Sequence, residues 1–427
     1  MIHSVVPPTG PIDAVVRVPG SKSTANRALV CAMLAEGSST LSGLPDGDDV
    51  AVVTDALEEA RTLRRIADRT VLINGSPVPV LPGIVDARLA GTSSRFLTAV
   101  AALSAGTTVI DGGEPLRRRP MGDLHDALVG LGAVVEPLGE PGRLPVTVQR
   151  GRLGGGSVTL RGDVSSQFVS ALMLIAPVLD GGLRIAVDGP LVSRSYVEMT
   201  ARVMRSFGAL VSVERSTIVV EPTGYRATDH TIEPDYSSAA FPLCALLLRE
   251  GRVRIPGLAV SSAQGDSRVL DILSAAGVSV IVEGDDVVAS RTGSGARAVG
   301  EIDMSDCSDL VPAVAVGLSV CAGESRIGGI GFIRDKESNR VEGVVERLRL
   351  CGADASVDGD DIVLHGADSL RATSIDTAHD HRIAMAFSLV ALSAGSVDIR
   401  DPDVVSKSWP GYFADMEPIL GVPGREG

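Results

Sequence analysis

A glycine followed by a short strand-like run recurs six times along the chain, at Gly37, Gly106, Gly182, Gly251, Gly323 and Gly395, at intervals of 69 to 76 residues. A period close to one sixth of 427 residues restricts the chain to six copies of one supersecondary unit. Each glycine closes an apolar helix pattern, and each pattern opens on a small polar or charged cluster. The clusters are Gly20-Ser21-Lys22-Ser23-Thr24-Ala25-Asn26-Arg27, Gly91-Thr92-Ser93-Ser94-Arg95, Gly162-Asp163-Val164-Ser165-Ser166-Gln167, Pro234-Asp235-Tyr236-Ser237-Ser238, Ser305-Asp306-Cys307-Ser308-Asp309 and Ala378-His379-Asp380-His381-Arg382. After each strand a loop leads to a more amphipathic helix, as at Leu124 to Leu131, Val197 to Phe207, Val269 to Ala275 and Val341 to Leu350. Those four helices stop at Gly132, Gly208, Gly277 and Gly352, where glycine can take a left-handed C-cap. Alternating runs with Gly/Asp turns follow, clearest at 279–288 and 355–363, and read as β-hairpins.

The expected fold is therefore α/β, built from six βαβαββ repeats. Six repeats divide into two domains of three, expected at 14–226 and at 1–13 joined with 227–427. The sixth copy ends at its second helix, Tyr412 to Leu420, without a hairpin. The N-terminal run Ile2 to Val6 is expected to supply its missing strand. If the six clusters share one end of their repeats, they face one another across an interdomain cleft.

Composition narrows the partners. A net charge of -14 argues against nucleic acid, so an anionic ligand must be held by local Lys and Arg. The five cysteines are odd in number and widely spaced, which reads as reduced thiols. Pro7, Pro8 and Pro11 interrupt any signal core, and apolar stretches such as 168–179 fall short of the roughly 20 residues that span a bilayer. The expectation is a cytoplasmic protein that binds no membrane.

A helix opening presents free N–H groups and the positive end of the dipole, so it suits an anion; Ser, Thr and Asp there also serve simply as N-caps. Six openings, three of them with basic residues, favour a phosphate-rich site. Gly20-Ser21-Lys22-Ser23-Thr24 lacks the G-x-x-x-x-G-K-[ST] spacing of a P-loop, which excludes the nucleotide reading. Arg117-Arg118-Arg119 is either a solvated run or an anion contact. The stretch 333–340 is expected to begin a helix, projecting Lys336, Glu337 and Arg340 from its first turn; a cation and a carboxylate there can bind an anion and move a proton. His379-x-His381 has no further His or Cys at ligand spacing, and Cys307 has no His placed to activate it, so neither a metal nor a thiol nucleophile is expected.

From about Val16 to Phe413 the sequence resembles the 5-enolpyruvylshikimate-3-phosphate synthase family. The resemblance is carried by Pro19-Gly20-Ser21-Lys22-Ser23 with Asn26-Arg27, Ala90 to Arg95, Arg119-Pro120, Ser165-Ser166-Gln167, Ser193 to Tyr196, Lys336-Glu337 with Arg340, and Asp380-His381-Arg382. It implies a two-domain enolpyruvyltransferase-like fold with three βαβαββ units per domain and the active site in the interdomain cleft. It also implies transfer of the enolpyruvyl group of phosphoenolpyruvate to the 5-hydroxyl of shikimate 3-phosphate, with release of phosphate, by a monomer without metal or organic cofactor. By position, Lys22, Ser23, Arg27, Ser165, Ser166, Gln167, Ser193, Tyr196, Asp309 and Lys336 are implied to hold shikimate 3-phosphate. Lys22, Gly91, Thr92, Arg95, Arg119, Gln167, Arg340, Arg382 and Lys407 are implied to hold phosphoenolpyruvate. Asp309, Glu337, Lys22 and His381 are implied to carry the proton transfers. Gly91 resembles the glyphosate-sensitive form. Leu89, Arg194, Phe332 and Asn339 depart from the family's usual Asn, Lys, Asn and Asp. The sister family acting on UDP-N-acetylglucosamine has Lys-Asn where this chain has Lys22-Ser23, and a Cys in a loop that has none here at 120–132. A noncatalytic scaffold for anionic metabolites is the reading from a different class.

Overall fold

The computed structural model describes residues 1–163, 165–258, 262–293 and 295–421. Val164 of the third cluster and the end of the second expected domain, 422–427, lie outside them. The chain forms two compact units, Gly20–Ile232 and Met1–Pro19 with Glu233–Gly427.

Each unit contains three small sheets of one design. In the Gly20–Ile232 unit the strand orders are His230–Thr231, Gly37–Ser42, Thr70–Gly75, Leu63–Ala67; then Ile84–Asp86, Thr107–Asp111, Val146–Gln149, Val134–Pro137; then Gly156–Arg161, Leu183–Asp188, Thr217–Val220, Val211–Val213. The other unit has Ile12–Val15, Gly251–Ile255, Asp286–Arg291, Ser279–Glu283; then Gly300–Asp303, Glu324–Gly328, Asp361–His365, Asp354–Asp358; then Ser374–Ile375, Val397–Arg400, Ile2–Val5. In every sheet the first pair is parallel and the others are antiparallel. The parallel pair needs a crossover and the antiparallel pair only a hairpin, which accounts for the order of helices and turns in each repeat.

Two strands are exchanged in sequence. Ile12–Val15 precedes the first helix but pairs with Gly251–Ile255, and His230–Thr231 precedes the fourth helix but pairs with Gly37–Ser42. These ladders put the unit boundaries at 19/20 and 232/233, six residues beyond the expected 13/14 and 226/227. Ile2–Val5 runs antiparallel to Val397–Arg400, where the sixth repeat lacks its hairpin, and Asp401 N donates to Met1 O at 2.9 Å.

The first helix of each repeat is almost uniformly apolar because it is enclosed: every residue of Tyr236–Leu248 except Leu248 is buried. The second helices keep a solvent face, as in Arg194–Ser206 and Glu342–Leu350. They end where Gly132, Gly208, Gly277 and Gly352 take φ of +101°, +86°, +95° and +84°. Each unit has its own buried aliphatic cluster. Among the described residues, no helix is long and apolar enough to cross a membrane.

Candidate active site

In the Gly20–Ile232 unit the polar clusters become helix N-termini. Ser21 caps Lys22–Leu34 by accepting from Thr24 N, and Ser165 caps Ser166–Ile175 by accepting from Gln167 N at 3.3 Å. Lys22 Nζ lies 2.7 Å from Asp49 Oδ2, and Asp49 is buried in the first turn of Asp48–Glu59. One turn beyond Lys22, Arg27 donates to Thr200 Oγ1 at 2.7 Å, Ser23 O at 2.8 Å, and Ser170 Oγ and Tyr196 O at 3.3 Å. Its guanidinium also faces the rings of Phe96 and Tyr196. Burial lowers the Arg27 pKa to about 10, against the opposing pull of Tyr196 and Cys31. Ser193, at φ +53°, is the left-handed residue from which Arg194–Ser206 starts and brings Tyr196 to this group.

A second group forms around Gly91, the first residue of Gly91–Ala101. Arg95 donates to Gly91 O at 3.0 Å, to Gln167 Oε1 at 2.7 Å and to Pro120 O at 3.3 Å, and its guanidinium lies over the Phe168 ring. A Cβ on Gly91 would stand 2.6 Å from Arg119 Nη1 and 2.8 Å from Arg95 Nη1. Two guanidinium groups therefore converge on this glycine, where a methyl group would displace them, with half-buried Thr92 in the same turn.

The other unit holds a denser network. Asp309 lies in the 3₁₀ turn Ser308–Leu310, which leads into Val311–Leu318. Its carboxylate accepts from Arg382 Nη2 at 2.9 Å and Arg340 Nη1 at 3.2 Å, with Lys336 Nζ at 3.6 Å. Arg340 also donates to Asp380 at 2.8 and 3.0 Å and to Glu337 Oε2 at 2.9 Å; Lys407 Nζ is 4.0 Å from Glu337. Burial alone would loosen the Arg340 proton, but the carboxylates of Asp380, Glu337 and Asp309 outweigh it and hold the guanidinium charged. Asp380 caps His381–Ser388 by accepting from Arg382 N at 2.9 Å, and takes a further bond from Ser338 Oγ at 2.8 Å. His381 is buried with Nδ1 3.7 Å from Asp380 Oδ1. Asp309 and Glu337 retain 16% and 17% side-chain exposure, so a ligand can reach both carboxylates.

The expected helix start at 333–340 is corrected. Gly331–Asp335 is a 3₁₀ turn, Lys336 is extended, and the α-helix is Glu342–Leu350. Asn339 Oδ1 accepts from Val341 N and Glu342 N at 3.1 and 3.2 Å, setting the cap there and leaving Lys336, Glu337 and Arg340 on the connecting loop. Phe332 lies under Lys336, with the ring centre 5.9 Å from Nζ.

Sequence reasoning missed Asp49, Ser170, Thr200 and Ser338, and treated Asp380 only as part of a motif. Asp49 follows Asp46 and Asp48, and no spacing in the sequence singles one out. Among the described residues, no group of three or more His, Cys, Asp or Glu is placed to hold a metal ion. The five cysteines are buried and unbridged, and burial pushes the Cys307 thiol upward.

Six small α/β repeats, whose helix openings carry cations set against carboxylates, define a protein that handles small, multiply anionic molecules. The family model of EPSP synthase (3-phosphoshikimate 1-carboxyvinyltransferase) matches residues 6–416. A 3-phosphoshikimate 1-carboxyvinyltransferase of Methanothermobacter thermautotrophicus is 37% identical over 421 residues, covering 96% of this chain and 97% of its own. One from Trichormus variabilis is 35% identical over 417 residues, with 96% and 97% covered. An EPSP synthase structure from Acinetobacter baumannii shares the fold at a TM-score of 0.81 and 24% identity, covering 99% of this chain and 98% of that one. The chain belongs to the EPSP synthase family, and its fold is the two-domain enolpyruvyltransferase fold.

Proposed function

We propose that this chain transfers the enolpyruvyl group of phosphoenolpyruvate to the 5-hydroxyl of shikimate 3-phosphate, a step of aromatic amino-acid biosynthesis. The observation that carries the reading is the Asp309, Glu337, Arg340, Arg382 network: two reachable carboxylates held by two guanidinium groups. Both substrates are multiply anionic and repel each other, so fixed cations must offset that repulsion before a bond can form.

In the addition step the 5-hydroxyl oxygen bonds to C2 of phosphoenolpyruvate, its proton passes to the Asp309 carboxylate, and the methylene carbon takes the proton that Glu337 carries in its carboxylic acid form. The product is a tetrahedral ketal phosphate. In the elimination step Glu337 takes a proton back from the new methyl group, the C–O bond to phosphate breaks, and the leaving phosphate takes the proton held by Asp309. Both carboxyls return to their starting states. Lys22 balances charge at the reacting centre or exchanges protons there, and His381 is the weaker candidate for that role.

Ser23, Arg27, Ser165, Ser166, Gln167, Ser193, Tyr196, Asp309 and Lys336, with Lys22, bind shikimate 3-phosphate. Gly91, Thr92, Arg95, Arg119, Gln167, Arg340, Arg382 and Lys407, with Lys22, bind phosphoenolpyruvate. The convergence of Arg95 and Arg119 on Gly91 supports an anion there. Arg27 also orders Ser23 and Tyr196, through hydrogen bonds that run to Ser23, Ser170, Tyr196 and Thr200. The same reading makes the protein a cytoplasmic monomer, and the steps above call on no metal or organic cofactor.

The test is phosphate release with phosphoenolpyruvate and either shikimate 3-phosphate or UDP-N-acetylglucosamine, in the presence of a chelator. Release with shikimate 3-phosphate alone is expected. Release with the sugar nucleotide alone would assign the sister reaction, and binding without release would make the chain an anion-binding scaffold.

A further inference from the structure

Among the buried acids that the mechanism leaves unused, Asp266 lies beside the element that carries Asp309. The 3₁₀ turn Gly265–Arg268 packs against the turn Ser308–Leu310 and the helix Tyr236–Leu248, and carries Asp266. Asp266 is 4% exposed. Its Oδ2 accepts from Ser237 Oγ, and its Oδ1 has no hydrogen-bond partner among the described residues. A carboxyl enclosed to this degree normally has a guanidinium or ammonium bonded to it. Asp266 has a hydroxyl, and the charges that act on it are those of Asp309, Arg382 and Asp235. On the neighbouring elements, Asp235 caps Tyr236–Leu248, Cys307 precedes Ser308–Leu310, and Arg268 on Asp266's own turn points to Asp271 at 3.9 Å. Burial, and after it the Asp309 charge, raises the Asp266 pKa to about 7, with Arg382 and the Ser237 hydroxyl pulling the other way.

Asp309 has the opposite difficulty. Arg382, Arg340 and Lys336 surround it, which keeps it ionised but makes it a poor proton acceptor. We propose that Asp266 is a positioning residue for that base: negative charge on the buried carboxyl offsets the three cations and raises the affinity of Asp309 for the substrate hydroxyl proton. The two carboxyls then act as a coupled pair, and the second charge arrives on Asp266 as pH rises through neutrality. This inference rests on Asp309 being the base.

Asp266→Asn removes the charge while keeping an acceptor for Ser237. In the wild type, kcat rises as pH increases through about 7, the range in which Asp266 ionises. In Asp266→Asn that rise disappears and kcat at pH about 8 falls by roughly three- to tenfold, with KM for both substrates changed less than about twofold. Carboxyl NMR of protein labelled with 13C at aspartate reads the same event without turnover. One resonance should titrate near neutrality, vanish in Asp266→Asn, and move to lower pH in Asp309→Asn, where the like charge is gone. Ser237→Ala, which deletes only the hydroxyl that stabilises the ionised form, should move both the resonance and the rise in kcat to higher pH. It keeps the proposal testable if Asp266→Asn does not fold. A wild-type pH profile in Asp266→Asn, or no aspartate titrating near neutrality, overturns the inference. Near-wild-type turnover in Asp309→Asn would instead overturn Asp309 as the base, whatever the NMR titration of Asp266 shows.

Discussion

Glu337 is held by Arg340 at 2.9 Å and approached by Lys407 at 4.0 Å, which fixes the carboxylate while leaving part of it exposed. Glu337→Gln keeps the shape and a hydrogen-bond acceptor but cannot exchange a proton with carbon, so kcat is expected to fall by roughly 10²–10⁴ with KM little changed. Steady-state kinetics decide this, and near-wild-type turnover removes the assigned role. Gly91→Ala puts a methyl group 2.6 Å from Arg119 Nη1 and 2.8 Å from Arg95 Nη1, so both guanidinium groups must retreat. The expected result is a KM for phosphoenolpyruvate raised by about tenfold, a loss of one charge-assisted bond's worth of binding, with weaker inhibition by glyphosate. Away from the site, burial lowers the His125 pKa from 6.5 to about 4. The unfolded chain therefore takes up this proton first as pH falls below 6.5, and folding loses about 3 kcal/mol by pH 4. Denaturant titrations at the two pH values should show that loss in the wild type and not in His125→Leu. The charged residues of the site were legible in sequence because they sit in short motifs. Their partners were not: Lys22 meets Asp49, and Arg340 meets Asp380, only after folding brings distant segments together.

Glycine spacing and helix caps made most elements legible, since the same C-cap glycine ends four of the second helices. The loop at 336–341 shows where local pattern fails. Its charges have helical spacing, but the Asn339 side chain competes for the backbone N–H groups of Val341 and Glu342, and the cap moves downstream. As a result an extended Lys336 and the following turn let both Lys336 and Arg340 reach Asp309. Asn339→Ala should cost about 1 kcal/mol, lowering Tm by roughly 2–4 °C, and should also reduce kcat because Glu337 is carried on the same loop. Asn339→Asp, which can cap equally well, should restore both; calorimetry and kinetics together test the pairing. If kcat survives the loss of the cap, the loop is held by the bonds of Ser338 and Arg340 to Asp380.

At the scale of the whole molecule, the strand ladders make the two units unequal in what they need from the chain. All strands of the Gly20–Ile232 unit lie within one continuous stretch. The other unit needs Ile2–Val5 and Ile12–Val15 from the far end of the sequence to complete two of its sheets. A fragment of residues 20–232 is expected to unfold cooperatively on its own, whereas 233–427 is expected to do so only when a peptide of residues 1–19 is added; circular dichroism melts distinguish the cases. The exchange itself escaped the sequence, because a four-residue strand such as Ile12-Asp13-Ala14-Val15 does not announce which sheet it will join. On a translating ribosome the exchange sets an order of assembly. The stretch ending at Ile232 can close as soon as it emerges, while residues 1–19, made before it, hold two unmated strands until residues 251–255 and 397–400 have followed. A segment made before residues 20–232 is thus among the last to find its place, and a chaperone that shelters nascent chain would have its longest task here.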